Sequence, residues 1–407
     1  MESHAVARRM KKDEDKFAHL ERSDRSPATL YGVFDGHGGK TASTYGSQQL
    51  ARELQALGPS AADKDIEAAF WAADAELGKI CTDGSTASIL LVSRQSDGFE
   101  CTLAWVGDSQ AVVVEMTPEG SIVAESTRHC ADARLERVRV QQTWDISKAI
   151  RFAIAEGLER APRTLEGVYS PESIMQCARN LNLTLTLDEA MLVGRAIERG
   201  DRLDMQRMQS ALGSAIDTSL LQSTIAPRVP GGKAFLHKVA ASPGNSKHGG
   251  SAFLSTPNNS QHGQTGITGS DLPGDVDHIS LGNSITRGNV QSVSTAVTRA
   301  IGDWDGSRAM IPHPEIIRFK VTGSRCVRTV IASDGLWDLV SVEEASKVLK
   351  KGKTPTSCAD KLLEMALFRS NSKFNELKDD TTVMVIELNP SGEPIQLAAT
   401  ASCCAIS

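Results

Sequence analysis

Two hydrophobic patterns alternate near the start of the chain. Short runs rich in Val, Ile, Leu and Thr favour β-strands at Thr29–Phe34, Thr86–Ser93 and Thr102–Val114. Apolar residues three and four positions apart predict helices at Ala42–Leu57 and Ile66–Ile80. This part of the chain is therefore predicted to contain a strand, two helices and then further strands.

The middle of the chain has a different character. Helical spacing in segments such as Ile146–Arg160 and Leu187–Arg199 predicts a mostly helical insertion over residues 140–242. Gly, Ser, Asn, His and Thr then dominate residues 243–288, with few large apolar side chains. Because such a segment buries too little apolar surface to offset the entropy of ordering, we predict a low-complexity disordered loop there.

The first pattern resumes after this loop. Strands are predicted at Ser294–Gly302, Val327–Ala332 and Thr381–Leu388, and helices at Val342–Lys350 and Pro355–Phe368. The simplest division is one discontinuous domain over residues 1–139 and 289–390, interrupted by the insertion. Residues 391–407 are predicted to form a flexible tail.

Composition narrows the class of protein. The net charge of −6 argues against a nucleic-acid partner, because phosphate neutralisation needs concentrated Lys and Arg. The eight cysteines lack zinc-site spacing and indicate reduced thiols of a cytoplasmic protein. The polar N-terminus predicts no secretory signal, and no apolar run is long enough to predict a membrane span.

Four aspartates stand at the ends of predicted strands. They are Asp35, Asp303, Asp334 and Asp379. Strand ends are rigid mounts for ligands, and carboxylates without Cys or paired His suit Mg²⁺ or Mn²⁺ better than Zn²⁺. Asp303 has an alternative role, since acidic residues at such positions also cap turns.

The densest chemical signal is Asp35-Gly36-His37-Gly38-Gly39. The glycines allow the backbone to approach a ligand closely, while the aspartate and the histidine supply a metal ligand and a proton donor. An ordinary tight turn with a surface histidine is the alternative explanation.

Six segments, taken in order, resemble the motifs of the type 2C, metal-dependent protein serine/threonine phosphatases. They are Val33–Gly39, Gly84–Ala87, Trp105–Ser109, Thr298–Asp303, Ala332–Asp338 and Asp379–Thr382. They cover both halves of the predicted discontinuous domain, and such a set in order is very unlikely by chance. The resemblance implies an α+β fold, a four-layer sandwich of two mainly antiparallel β-sheets flanked by α-helices, with metal ions at one end of the sheets.

The resemblance also implies a metal site. Asp35, Asp334 and Asp379 would hold one ion, and Asp35 would bridge to a second ion that also takes the Gly36 carbonyl. Near the N-terminus, Lys12-Asp13-Glu14-Asp15 resembles the family's Glu-Asp pair. Glu14 would then bind the second ion through water, and Asp15 would support it.

A mechanism follows from the resemblance. Two Mg²⁺ or Mn²⁺ ions would lower the pKa of a bridging water, and the resulting hydroxide would attack the phosphorus of phosphoserine or phosphothreonine in protein substrates. His37 would protonate the departing alkoxide as general acid. A hydrogen-bonded structural histidine is the alternative role for His37.

The chain departs from the family pattern at two places. Members usually carry a phosphate-binding Arg where this chain has Met10, so Arg8, Arg9 or Lys12 would have to reach the phosphate, or substrate affinity would fall. In Thr127-Arg128-His129, a cation stands where the family has an Asp associated with a third ion.

The second departure puts the third ion in doubt. Asp132 lies nearby and is a candidate substitute, while Asp338 is either a metal-site residue or a turn cap. The insertion begins where the family's substrate-facing flap lies. It either selects substrates and controls access or is neutral.

The C-terminal residues Cys404-Ala405-Ile406-Ser407 fit a prenylation box, and Cys403 is a candidate for palmitoylation. Two lipids would anchor the protein to the cytoplasmic face of a membrane. A chance match to this short pattern is the alternative, since no polybasic stretch precedes it.

The sequence favours an active metal-dependent phosphatase of phosphoproteins. Met10, Arg128 and the large insertion motivate a rival, a catalytically weak or silent scaffold or regulatory binding protein on the same fold. A carboxylate-metal hydrolase of small phosphate esters is a third hypothesis.

Overall fold

The computed structural model describes residues 2–24, 26–117, 120–130, 133–155, 170–181, 183–198, 279–286, 289–295, 297–304 and 310–392. The chain divides into two compact units, after Cys130 and before Val297, where the sequence placed the boundaries at 139 and 289. The first boundary lies earlier because the helix Arg134–Ala155 begins before residue 140 and belongs to the second unit.

Two five-stranded antiparallel sheets form the centre of the larger unit. The first sheet has the order β1 (Glu2–Arg9), β15 (Thr381–Leu388), β14 (Val327–Ala332), β8 (Gln110–Glu115) and β9 (Ile122–Glu125). The second has the order β13 (Glu315–Thr322), β7 (Gly98–Val106), β6 (Ala87–Gln95), β3 (Thr29–Phe34) and β2 (Lys16–Leu20). A small sheet of β12 (Ile301–Gly302), β5 (Gly84–Ser85) and β4 (Gly36–His37) lies beside the candidate site.

Helices cover both sheets, which gives four layers with three apolar cores. The helical segment Thr41–Leu57, which contains a π-helical turn at Gly46–Leu50, packs with helix Asp63–Ile80 through residues such as Leu54 and Phe70. Trp105 and Met384 belong to the core between the sheets. Helices Asp334–Trp337, Val342–Lys351 and Pro355–Phe374 cover the first sheet. This is the predicted α+β sandwich.

Arg328 is a fully buried cation in β14. Its Nε donates to Glu387 Oε2 at 2.8 Å, and its Nη1 donates to the carbonyl oxygens of Leu349 and Gly352 at 2.7 and 2.5 Å. Because the last carbonyls of a helix have no partners within it, Arg328 ties the end of helix Val342–Lys351 to the sheet.

Two predicted strands differ from the structure. Residues Thr102–Val114 form β7 and β8, because Gly107 takes a φ of +94° and begins the turn between them. Residues Ser294–Gly302 are not one strand either. Val297 and Arg299 pair as isolated bridges with Cys130 and Ile311 instead of continuing a ladder.

The smaller unit contains helices Arg134–Ala155, Pro171–Asn180 and 187–198, with Ile150, Ile174 and Val193 in a shared core. It also contains a hairpin of β10 (Ile279–Thr286) and β11 (Asn289–Thr295). The end of the predicted disordered loop is thus a strand, since Ile279 and Leu281 supply an alternating pattern there. Residues 243–278 and 287–288 of that loop lie outside the described residues.

None of the described helices combines the length and the hydropathy that a bilayer span requires. The six described cysteines are free thiols. Cys403, Cys404 and Asp132 lie outside the described residues, so lipidation of the tail and a metal role for Asp132 stay predictions.

Candidate active site

Asp35 directly follows β3, and two neighbouring motifs fix its backbone. Its N–H donates to Thr86 Oγ1 at 3.0 Å, and the Thr86 N–H donates to the Asp35 carbonyl at 2.9 Å. Thr86 Oγ1 also lies 2.7 Å from Ser109 Oγ. The motifs around Thr86 and Ser109 therefore act by positioning Asp35.

Gly36 is where the first motif needs a glycine. A Cβ added there would lie 2.7 Å from the Glu14 carbonyl oxygen and 2.8 Å from Ser43 Oγ. Both distances are shorter than van der Waals contact, so only glycine allows the segment that carries Glu14 to pack against residue 36. The Gly36 carbonyl and Glu14, which the resemblance assigns to one ion, thus lie on neighbouring backbone segments.

Asp380 holds the loop that carries Glu14 and Asp15. Its carboxylate accepts the backbone N–H groups of Lys12, Glu14 and Asp15 at 2.7, 2.6 and 3.2 Å, and also that of Lys11. Burial opposes the charged carboxylate, but these amides lower the pKa of Asp380 below its ordinary value. Sequence reasoning missed this role, and the signal was the second acid of the Asp379-Asp380 pair.

Asp15 is buried and binds the residue that precedes Asp334. Its Oδ2 accepts the Ser333 hydroxyl at 2.8 Å, and the Ser333 Oγ accepts the Thr382 N–H at 3.0 Å. Burial and the nearby Asp380 raise the pKa of Asp15 to about 6. These bonds place Asp334, which follows Ser333, beside the same loop.

The carboxylates named by the resemblance lie within electrostatic reach of one another. Burial, followed by the charges of Asp15, Asp334, Asp108 and Asp379, raises the pKa of Asp35 well above its ordinary value. Burial, Asp108, Asp338 and Asp379 do the same for Asp334. Such a cluster favours either proton uptake or a divalent cation.

The donor set fits a hard cation. Asp35, the Gly36 carbonyl, Asp334, Asp379 and Glu14 offer oxygen atoms alone. Asp15 Oδ1 is a buried oxygen with no hydrogen-bond partner, which is a further sign of unmatched negative charge.

The candidate metal ligands do not converge on one point in the described structure. Among the described residues, no three acidic, His or Cys side chains converge as the ligands of one ion. Lys12 Nζ instead lies 3.1 Å from Asp379 Oδ1 and 3.8 Å from Glu14 Oε2. Ligation by Asp379 would therefore require this lysine to move.

His37 and Asp303 form a dyad at the edge of the cluster. His37 Nε2 lies 2.6 Å from Asp303 Oδ2, and Asp303 is fully buried. Burial opposes the imidazolium, but the Asp303 carboxylate outweighs it and raises the pKa of His37. Asp303, a candidate ligand or turn cap from the sequence, thus partners His37, the candidate proton donor.

Gly84 leaves space for the Asp303 carboxylate. A Cβ added at Gly84 would lie 2.1 Å from the Cγ of Asp303. The Asp303 N–H also donates to the carbonyl of Asp83, which precedes this glycine. The motif at residues 84–87 therefore positions the dyad as well as Asp35.

The basic residues near Met10 divide between two roles. Arg8 Nη2 donates to the Asp15 carbonyl at 2.9 Å, and its guanidinium lies 5.1 Å from the centre of the Phe17 ring. Arg9 is exposed on β1. Of the three candidates for phosphate binding, Lys12 is the one that contacts the carboxylates.

Asp338 is paired with two cations. Arg128 Nη1 lies 2.9 Å from Asp338 Oδ1, and Lys378 Nζ contacts Asp338 Oδ2. Burial opposes its charge, but Arg128 and Lys378 lower the pKa of Asp338. In the structure Asp338 is therefore an ion-pair partner.

The model of the protein family described as Protein phosphatase 2C matches residues 1–144 and 271–373. The chain belongs to this family. The family assignment confirms the resemblance drawn from the motifs.

Curated relatives of the 2C family match a short part of the chain. "Probable protein phosphatase 2C 74" of Oryza sativa subsp. japonica is 39% identical over 93 residues, which are 23% of this chain and 22% of the relative. "Protein phosphatase 2C homolog 1" of Schizosaccharomyces pombe is 32% identical over 108 residues, which are 26% of this chain and 29% of the relative. The matched part thus spans less than a third of each relative.

A solved 2C structure can be superposed on most of this chain. The serine-threonine phosphatase 2C from Toxoplasma gondii superposes with a TM-score of 0.50 at 16% identity, covering 95% of this chain and 94% of its own. At this identity the likeness concerns the fold alone, and it agrees with the predicted 2C sandwich.

Proposed function

We propose that this chain is an active phosphatase that uses Mg²⁺ or Mn²⁺ to hydrolyse phosphoserine and phosphothreonine in proteins. The observation that carries the proposal is the His37–Asp303 dyad beside the carboxylates Asp35 and Asp334. Together they offer a held proton and a place for hard cations, which are the two components of a metal-assisted hydrolysis with general-acid catalysis.

Each part of the chain has a role in this reaction. Asp35, the Gly36 carbonyl, Asp334 and Asp379 would hold the ions directly, and Glu14 would do so through water. Divalent ions at such a site supply Lewis-acid stabilisation of the phosphoryl group and lower the pKa of water.

His37 would supply the proton. Its imidazolium would give a proton to the serine or threonine alkoxide as the phosphoryl group departs. Asp303 would hold the ring in place and keep it charged, because the two groups are 2.6 Å apart in a buried setting.

The decisive experiment measures phosphate release from a phosphothreonine peptide with Mn²⁺ or Mg²⁺, with EDTA, and with Asp334→Ala under the same metal conditions. We expect both EDTA and the substitution to abolish turnover. Asp360→Ala, on the exposed face of helix Pro355–Phe374, is the matched control and should retain it.

Four residues favour a second candidate, a weak or silent binding protein. Lys12, Lys378 and Arg128 already contact the acidic cluster, and Met10 replaces the expected arginine. A folded, metal-loaded wild type that binds the phosphopeptide without turnover would establish this candidate. Faster turnover of small phosphate esters than of phosphopeptides would instead favour a small-ester hydrolase.

A further inference from the structure

Arg128 joins two carboxylates that come from different parts of the chain. Its Nη1 lies 2.9 Å from Asp338 Oδ1, and its Nη2 lies 3.3 Å from Asp108 Oδ2. Asp108 follows β7, and Asp338 follows helix Asp334–Trp337. The side chain of Asp108 is only 7% exposed, so water screens this pair weakly.

The backbone around Arg128 is fixed on the turn that carries Asp108. The His129 N–H donates to the Gly107 carbonyl at 2.9 Å, and the Gly107 N–H donates to His129 Nδ1 at 3.2 Å. Trp105 Nε1 donates to the Thr127 carbonyl at 2.9 Å. These bonds leave the segment little freedom, so the fold itself delivers the guanidinium to Asp108.

Two cations lie against the carboxylates of Asp108 and Asp338. Arg128 and Lys378 bring two positive charges, and Asp108 and Asp338 bring two negative ones. A guanidinium stays charged at every working pH and binds carboxylates through fixed donors. A divalent ion between Asp108 and Asp338 would be repelled at short range by both cations and would have to displace the guanidinium from its two carboxylates.

We propose that Arg128 is the resident cation of Asp108 and Asp338 and that it closes this part of the acidic cluster to a divalent ion. Ions would then bind only where Asp35, Asp334, Asp379 and Glu14 provide ligands. The inference deepens the proposed function, on which it rests, because it sets how many ions the same site takes.

The first test counts Mn²⁺ ions per chain by calorimetric titration of the wild type, Arg128→Asp and Arg128→Lys. We expect Arg128→Asp to bind one ion more than the wild type, because it removes the cation and adds a ligand. Arg128→Lys should match the wild type. Equal counts for the wild type and a folded Arg128→Asp would overturn the proposal.

A matched control separates this effect from a change of net charge. Arg325 Nε lies 2.8 Å from Glu115 Oε1 at the far end of β8, in an exposed ion pair. Arg325→Asp makes the same charge change as Arg128→Asp but should leave the count of ions at the wild-type value. An extra ion in this variant too would overturn the proposal, since the gain would not depend on Arg128.

A second test uses the wild-type protein alone and therefore does not depend on the folding of a variant. Anomalous diffraction from wild-type crystals soaked in Mn²⁺ should place no ion between Asp108 and Asp338, with Arg128 still in contact with both. An ion there, with the guanidinium displaced, would contradict the proposal. Ion counts and turnover are measured separately, so an inactive wild type would refute the proposed function and leave this result readable.

Discussion

Asp380 accepts the backbone N–H of Glu14 at 2.6 Å and thereby joins the first loop of the chain to the start of its last described strand. The same carboxylate receives the amides of Lys11, Lys12 and Asp15. Asp380, the neighbour of the candidate ligand Asp379, thus fixes the position of a second candidate ligand, Glu14.

Asp380→Asn should lower the free energy of unfolding by ~2–3 kcal/mol at neutral pH, because an amide cannot accept this set of N–H groups as a carboxylate does. Urea unfolding measures the loss. Asp360→Asn, at an exposed position, is the control and should stay within about 0.5 kcal/mol of the wild type.

The same variant tests the pH dependence. Folding lowers the pKa of Asp380, so its stabilisation is present above the ordinary pKa of 3.8 and is lost as pH falls below that value. The gap in unfolding free energy between the wild type and Asp380→Asn should therefore narrow from pH 6 to about pH 3. A gap that widens with acid would contradict the assignment.

His37→Gln should reduce kcat on a phosphothreonine peptide by about 10²–10⁴-fold, the usual contribution of a general acid. The loss on p-nitrophenyl phosphate should be much smaller, because nitrophenolate leaves without a proton. Steady-state kinetics on both substrates provide the comparison, with His19→Gln as the control. Equal losses on the two substrates would mean that His37 has another role.

Asp303→Asn should shift the alkaline limb of the kcat–pH profile to lower pH. Asp303 raises the pKa of His37, so its neutralisation lowers that pKa and the ring loses its proton earlier as pH rises. The profile of the wild type, recorded with the same peptide, is the reference. If the alkaline limb does not move, Asp303 does not set the pKa of the group that donates the proton.

Arg328→Met should destabilise the protein by about 3–5 kcal/mol, since it leaves Glu387 and two helix-end carbonyls without their buried donor. Thermal and urea unfolding measure the effect. Arg325→Met removes an exposed pair and should cost about 1 kcal/mol or less. Similar losses of unfolding free energy in the two variants would show that the buried contacts of Arg328 stabilise the fold no more than an exposed ion pair does.

The sequence predicts best those features that depend on short segments. Asp35, Asp334 and Asp379 each adjoin an apolar run that forms a strand, so the strand ends could be placed from local pattern alone. The order of the motifs then indicated the family, and with it the four-layer sandwich, which the structure and the family assignment confirm.

Features that depend on distant partners could not be predicted. β1 is polar and half-buried, and only its pairing with β15 makes it a strand. The roles of Asp380 and Arg128 also come from contacts across the fold. A list of acidic residues cannot tell a ligand from a residue that holds backbone amides or binds a guanidinium.

The position of β15 between β1 and β14 also bears on synthesis. While a ribosome makes this chain, the first sheet stays divided until residues 381–388 emerge, and both β1 and β14 present an edge without its partner. Asp35 and His37 exist long before Asp379 does. A nascent chain is therefore exposed to aggregation and lacks one candidate metal ligand until this strand has inserted, so chaperone shielding would matter most during that interval.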